Sequence, residues 1–211
     1  MGATVVVDYG MGNLRSMAKA LEHAGAEAVR VTDDAETIAA AERVVFPGQG
    51  AARDCMSALH THELVDVLGE AMTRKPFLGA CMGMQVLLEW SDENDGVELL
   101  GRYPGRIRHF REHFDVASGL KIPHMGWNRV RHSRDHPLWA GVADGEWFYF
   151  VHSYYAEPAD PTLVVGTADY GGEFACALAR ENVFATQFHP EKSHHAGLTL
   201  LANFLRWDGT V

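Results

Sequence analysis

A cysteine set between glycines, Gly79-Ala80-Cys81-Met82-Gly83, and a histidine two residues before a glutamate, His189-Pro190-Glu191, are the residues of this chain best suited to chemistry. The first stretch has the form of a nucleophile elbow. An apolar run over 76–80 feeds a turn, and a helix-like run over 85–90 leaves it. Glycines beside the nucleophile permit the sharp strand-to-helix turn. A cysteine at the mouth of a helix feels the positive end of the helix dipole, which favours the nucleophilic thiolate. The second stretch supplies a base and its orienter. A residue before proline is biased to extended geometry, and extended side chains repeat with period two, so His189 and Glu191 point the same way. Thiol, imidazole and carboxylate are the parts of a Cys-His-acid triad, which a fold assembles from remote positions. The rival account of Cys81 alone is a cysteine buried in a packed turn. Its coincidence with His-Pro-Glu favours catalysis.

Pro47-Gly48-Gln49-Gly50 follows another predicted strand, over 43–46. In a parallel sheet it emerges with the elbow at the carboxyl edge, where sites form. Backbone N–H groups of Gly48, Gln49 and Gly50 are candidates to join that of Met82 in an oxyanion hole. An ordinary strand-to-helix turn is the alternative. Gly10-Met11-Gly12 lacks the third glycine of a dinucleotide fingerprint, because Arg15 takes its place, and predicts a tight turn. His109-Phe110-Arg111-Glu112-His113 has the H-x-x-E-H zinc spacing, which needs a helix to bring both histidines to one face. Strand-like alternation over 107–110 argues against that, and no metal is expected. His194-His195 predicts a surface loop. Pro123-His124-Met125-Gly126-Trp127-Asn128 is either a core hairpin or, if its Trp and Met are exposed, a protein interface.

The elements that must position these groups follow from hydrophobic periodicity. A β-branched run at 4–7 predicts a strand buried on both faces. A turn over 8–13 leads to a helix carrying Leu14, Met17, Ala18 and Leu21, capped by Asn13 and stopped at Gly25. A strand at 28–31, a helix at 35–41, the strand at 43–46 and helices at 51–59 and 63–73 continue the alternation to the elbow. That order predicts an α/β fold with a doubly wound, mostly parallel central sheet and helices on both faces. Short β-like runs at 107–110, 127–131, 147–154 and 162–166 predict an added antiparallel region. A last buried strand, 183–188, ends at His189. A closing helix, 196–207, turns Leu198, Leu201, Phe204 and Leu205 to its apolar side. One domain over 1–211 is expected.

Composition narrows the class. With 47% hydrophobic and 22% charged residues over 211 positions, the chain can bury a core without staples. A net charge of -10 argues against a nucleic-acid-binding face, which needs a basic stripe. Cys55, Cys81 and Cys176 are few and scattered, with no C-x-x-C pair, which predicts a reducing compartment. No basic leader opens the chain, and no apolar run approaches the ~20 residues of a membrane helix. A cytoplasmic protein without membrane contact is expected.

Together, Cys81-Met82-Gly83-Met84-Gln85 and His189-Pro190-Glu191 resemble the class I, triad-type glutamine amidotransferases, whose fold is flavodoxin-like. Within that class three further stretches look like the glutaminase subunits of imidazole glycerol phosphate synthase. These are Asp8-Tyr9-Gly10-Met11-Gly12-Asn13-Leu14, Pro123-His124-Met125-Gly126-Trp127-Asn128, and His189-Pro190-Glu191-Lys192-Ser193 with Gly197-Leu198 and Asn203-Phe204-Leu205. The resemblance spans nearly the whole chain. Met82 stands where the family usually has Leu, and Gln49 where Val is common.

The resemblance implies that Cys81 attacks the side-chain amide of L-glutamine, that His189 shuttles protons, and that Glu191 holds the imidazole. Water then releases glutamate from a γ-glutamyl thioester, with no cofactor. It implies that Gln85, Glu93 and the backbone around Ser153 and Tyr154 hold glutamine. It further implies a heterodimer with a (β/α)8-barrel cyclase, which takes the ammonia to make imidazole glycerol phosphate in histidine biosynthesis. Asn13, His124, Met125, Trp127, Asn128 and Lys192 would lie at that interface, and activity alone should be low. The alternatives are a glutaminase feeding another acceptor and a non-catalytic regulatory subunit. Pro-His-Met-Gly-Trp-Asn argues against the first, and the intact Cys81, His189 and Glu191 against the second.

Overall fold

The structure is a computed structural model that describes residues 2–113 and 119–210, with the backbone alone at His113. The first half alternates as the periodicity predicts. It runs β1 (Thr4–Val7), α1 (Leu14–His23), β2 (Val29–Thr32), α2 (Ala35–Ala40), β3 (Arg43–Gly48), α3 (Ala52–Thr61), α4 (Val65–Arg74), β4 (Phe77–Cys81) and α5 (Met82–Gln85). The second half is β-rich: β5 (Trp90–Ser91), β6 (Val97–Glu98), β7 (Gly105–His109), α6 (Phe110–His113), β8 (His124–His132), β9 (Glu146–His152), β10 (Tyr154–Pro158), β11 (Val164–Asp169), β12 (Glu173–Arg180) and β13 (Val183–Thr186). The helix α7 (His194–Arg206) closes the fold.

Strands pair in the order β2-β1-β3-β4-β13-β12-β10-β7-β5-β6. The first five are parallel. Antiparallel pairing begins at β12, and a β8–β9 ribbon joins through β11. Central strands are apolar nearly throughout, with polar residues such as Thr4, Arg43 and Thr186 only at their ends, because both faces are covered. Alternation sorts them into two cores. Val5, Val7, Val44, Phe46 and Phe77 pack with Ile38, Leu59, Leu68 and Met72 of α2, α3 and α4. Val6, Val45, Leu78 and Phe184 pack with Met17, Leu21, Leu200 and Phe204 of α1 and α7 on the other face.

The structure corrects several local expectations. The helix expected over 85–90 is absent. The helix after the elbow is a single turn, and the chain then tightens, with Leu87 and Leu88 bonding to Met84 and Gln85. Carbonyls of Leu87 and Leu88 accept from Tyr103 and Gly101 instead of continuing a helix, while Trp90–Ser91 pairs with β7. The run 147–154 is two strands broken at Ser153. β12 has no counterpart in the sequence reading. Its Ala175, Ala177 and Ala179 have weak strand preference, and flanking strands on both sides impose the conformation. Asn13 precedes α1 but makes no side-chain cap, whereas Gly25 takes φ 106° just past its end. His194 and His195 open α7 rather than forming a loop.

Candidate active site

The elbow forms where β4 ends between two parallel neighbours. Cys81 lies opposite Gly48 of β3, and Ala80 lies opposite Thr186 of β13. The turn after β3, Cys81 and the chain leading to His189 therefore leave one sheet edge together. Cys81 adopts φ 55°, ψ -107°, a strained conformation for a residue with a side chain. Both flanking glycines are required by close backbone approach. A Cβ on Gly79 would lie 2.4 Å from the Gly83 oxygen, and one on Gly83 would lie 1.9 Å from the Phe46 oxygen.

Beyond β13 the chain is held extended. The Gln187 N–H donates to Cys176 O (2.8 Å), and the His189 N–H to Tyr149 O (2.9 Å). The single 3-10 turn Pro190–Lys192 follows. Ser193 pins it by donating from Oγ to His189 O (2.6 Å) while accepting the Tyr149 N–H (3.0 Å). Within this frame His189 Nδ1 lies 2.9 Å from Glu191 Oε1, with both side chains almost fully buried. A carboxylate oxygen accepts, so Nδ1 carries the hydrogen and Nε2 is the ring nitrogen turned away from Glu191. That Nε2 is buried. Burial disfavours the imidazolium, but Cys81 and the Glu191 carboxylate together outweigh it and push His189 up to about 10.

Cys81 and His189 line a cavity of about 290 Å³ with Gln49, Gly50, Met82, Gln85, Glu93, Ser153 and Tyr154. The volume suits a small substrate. Gly48 lies behind this wall, where a Cβ would sit 2.3 Å from Tyr9 Oη and 2.6 Å from Met82 Cβ. Gly50 turns the loop with φ 99°. One polar residue here was not singled out from the sequence. Gln187 donates from Nε2 to Cys81 Sγ (3.8 Å) and accepts at Oε1 from Gln85 Nε2 (3.1 Å). Its two-residue spacing from His189 was the available signal.

The model of the family described as glutamine amidotransferase class-I matches residues 5–207. The chain belongs to the class I glutamine amidotransferases. It is 59% identical to the imidazole glycerol phosphate synthase subunit HisH of Methylococcus capsulatus, over 99% of this chain and 98% of that one. It is 53% identical to subunit HisH 1 of Pseudomonas aeruginosa, over 99% of each. Its fold is similar to the structure of PurLQS from Thermotoga maritima (TM-score 0.72, 21% identity, 98% and 99% covered). It also resembles the glutaminase domain of Trypanosoma brucei CTPS with bound acivicin (TM-score 0.61, 14% identity, 99% and 95% covered).

In this glutamine amidotransferase Glu93 is already partly engaged. Its Oε2 accepts the Ala52 N–H (2.7 Å) and so caps α3 from across the pocket. The expected interface residues divide by strand alternation. Met125 and Trp127 are 63% and 41% exposed, and Trp147, unassigned in the sequence, joins them at 45%. Arg129 lies over the Trp147 ring at 5.2 Å, Trp127 stacks on His194 (4.9 Å), and Lys192 approaches the Tyr149 ring (5.9 Å). Asn13 and Asn128 are half-buried.

His124 is not on this face, contrary to expectation. It is 3% exposed, because the period of two turns it inward, where it stacks on Phe150 and Tyr170. There it joins a directed row. His152 Nδ1 donates to Tyr154 O (2.7 Å), so His152 Nε2 accepts from His124 Nδ1 (2.9 Å), and His124 Nε2 accepts from Asn128 Nδ2 (3.3 Å). The zinc-like spacing is broken between two elements. His109 ends β7 and accepts the Arg111 N–H, while α6 begins at Phe110; the His113 side chain lies outside the described residues.

Proposed function

We propose that this amidotransferase hydrolyses L-glutamine and, as the glutaminase subunit of an imidazole glycerol phosphate synthase, passes the ammonia to a (β/α)8-barrel cyclase subunit. One observation carries the chemistry: a strained Cys81 and His189, the latter paired with buried Glu191 behind it, line one small pocket with Gln85, Glu93, Ser153 and Tyr154. The names of the HisH relatives support the pathway.

The Cys81 thiol gives its proton to His189 Nε2, and Sγ attacks the γ-amide carbon, forming the S–C bond as the carbonyl π pair moves onto oxygen. The oxyanion is met by backbone N–H groups of Gln49 or Gly50 and of Met82, each worth about 3–4 kcal/mol by analogy with single oxyanion donors. His189 gives its Nε2 proton to the amide nitrogen, the C–N bond breaks, and ammonia leaves. His189 then takes a proton from water as it attacks the thioester, which frees glutamate and the sulfur. Glu191 keeps the Nδ1 hydrogen in place throughout. The second carboxylate oxygen of Glu93 is left to meet the α-ammonium group. Exposed Met125 and Trp127, with Lys192 beside them, form the docking strip. A cytoplasmic setting accords with three free, buried cysteines, and no described helix is long and apolar enough to cross a membrane.

The test is glutamate release from glutamine by the chain alone and with the cyclase subunit plus its nucleotide ligand. Strong activation only in the full mixture is expected, with loss of activity and retained partner binding in Cys81→Ala. Activity indifferent to that partner would overturn the assigned acceptor. Inactivity of a folded native complex would overturn the glutaminase reading itself.

A further inference from the structure

Gln187 is fully buried, and the steps above make no use of it. Its orientation is nevertheless fixed by a chain of hydrogen bonds with one unambiguous end. Tyr154 O is a backbone carbonyl and accepts only. Gln85 lies 3.4 Å from it through Nε2. That same nitrogen is 3.1 Å from the Gln187 side chain, which must therefore present Oε1. Gln187 Nε2 is then the atom left 3.8 Å from Cys81 Sγ. Turning Gln187 over would oppose two NH2 groups and aim an oxygen at the sulfur. Turning Gln85 over would aim an oxygen at Tyr154 O. Both Nε2 hydrogens of Gln85 are thus spoken for, and what it offers the pocket is Oε1, an acceptor.

We propose that Gln187 is a positioning residue of the glutaminase site with two tasks. Its Nε2 donates to the Cys81 sulfur and steadies the charge there. Its Oε1 locks Gln85 so that Gln85 meets an N–H donor of bound glutamine with an oxygen. The inference rests on the proposed roles of Cys81 and Gln85.

Two near-isosteric variants separate the tasks. Gln187→Met removes both bonds. Gln187→Glu keeps an oxygen for Gln85 and places a carboxyl beside the sulfur. Iodoacetamide labelling of Cys81 in the full chain, followed by mass spectrometry, reads the sulfur without glutamine. KM and kcat are read in the complex with the cyclase subunit. Gln187→Met should slow labelling at neutral pH roughly three- to tenfold, the scale of one lost ordinary hydrogen bond. It should also raise KM several-fold. Gln187→Glu should restore KM to within about twofold of native, while its labelling at pH 8 stays slow. A purely structural role would shift melting temperature and leave this split absent. Equal KM values in the two variants would overturn the inference, as would native labelling in Gln187→Met. If Gln187→Met fails to fold, native labelling at pH 8 in Gln187→Glu overturns the donor task. A native complex that labels at Cys81 yet hydrolyses no glutamine would instead overturn the glutaminase reading, leaving the sulfur contact to be judged by labelling alone.

Discussion

At the scale of single residues, the Glu191 carboxylate has two effects on His189. It fixes which ring nitrogen carries hydrogen, and its charge helps hold the imidazolium against burial. Glu191→Gln keeps the shape and removes the charge. We expect kcat to fall by roughly 10² or more. The pKa assigned to His189 in the pH–rate profile should move down from about 10, because a raising influence is gone. An unmoved profile would show that Glu191 only packs. The placement of Cys81 and His189 at one cavity, with Glu191 against His189, was legible in the sequence because each half lies in a short motif whose geometry is set by adjacent glycines or proline. Gln187 was not, because its meaning depends on Gln85 and Cys81, which the fold alone brings to it. The inward turn of His124 was lost for a related reason: alternation is visible in 124–130, but which side is inside is decided by Phe150 and Tyr170 of other segments.

At the scale of elements, α7 and the His-Pro-Glu turn are locked through Gly197. A Cβ there would lie 1.9 Å from the Pro190 oxygen. Gly197→Ala must therefore push the turn that carries His189 and Glu191. A stability loss of about 1–3 kcal/mol is expected from urea denaturation, accompanied by lower kcat. A variant that is destabilised yet fully active would show that the turn tolerates the shift. On the β8–β9 ribbon, Trp127→Ala should weaken cyclase binding by about 2 kcal/mol in calorimetric titration, as expected of a central aromatic anchor. Unchanged affinity would move the docking strip elsewhere. The parallel half was legible because β-branched runs alternate with amphipathic ones between glycine stops. β12 was not, since its alanines carry little preference and its neighbours confer the strand.

At the scale of the whole molecule, three buried histidines set the response to acid. Burial holds His124 and His136 down to about 4, with Arg134 adding to the effect at His136, and holds His152 down to about 3. Each is neutral when folded and titrates near 6.5 when unfolded, so below that pH the unfolded chain binds more protons. Stability should fall as pH drops from about 6.5 toward 4, with a slope reaching about 4 kcal/mol per pH unit for three protons. His189 does not oppose this. Its raised value gives a contribution that is complete below 6.5 and is lost only on rising through about 10. Urea denaturation at stepped pH measures the slope, and a flat profile between 6.5 and 4 would contradict it. The α/β class and the added antiparallel strands were legible from element order alone, whereas the path by which β8 and β9 attach through β11 depends on pairings no local pattern encodes.

The alternation along β8 gives this enzyme a wall only one backbone thick. Met125 and Trp127 stand on its outer surface, while His124 hangs from its inner surface and ties through His152 to the carbonyl of Tyr154, a residue lining the Cys81 cavity. The exposed Met125 and Trp127 and the buried row that reaches Tyr154 are therefore opposite sides of one strand, separated by a single backbone.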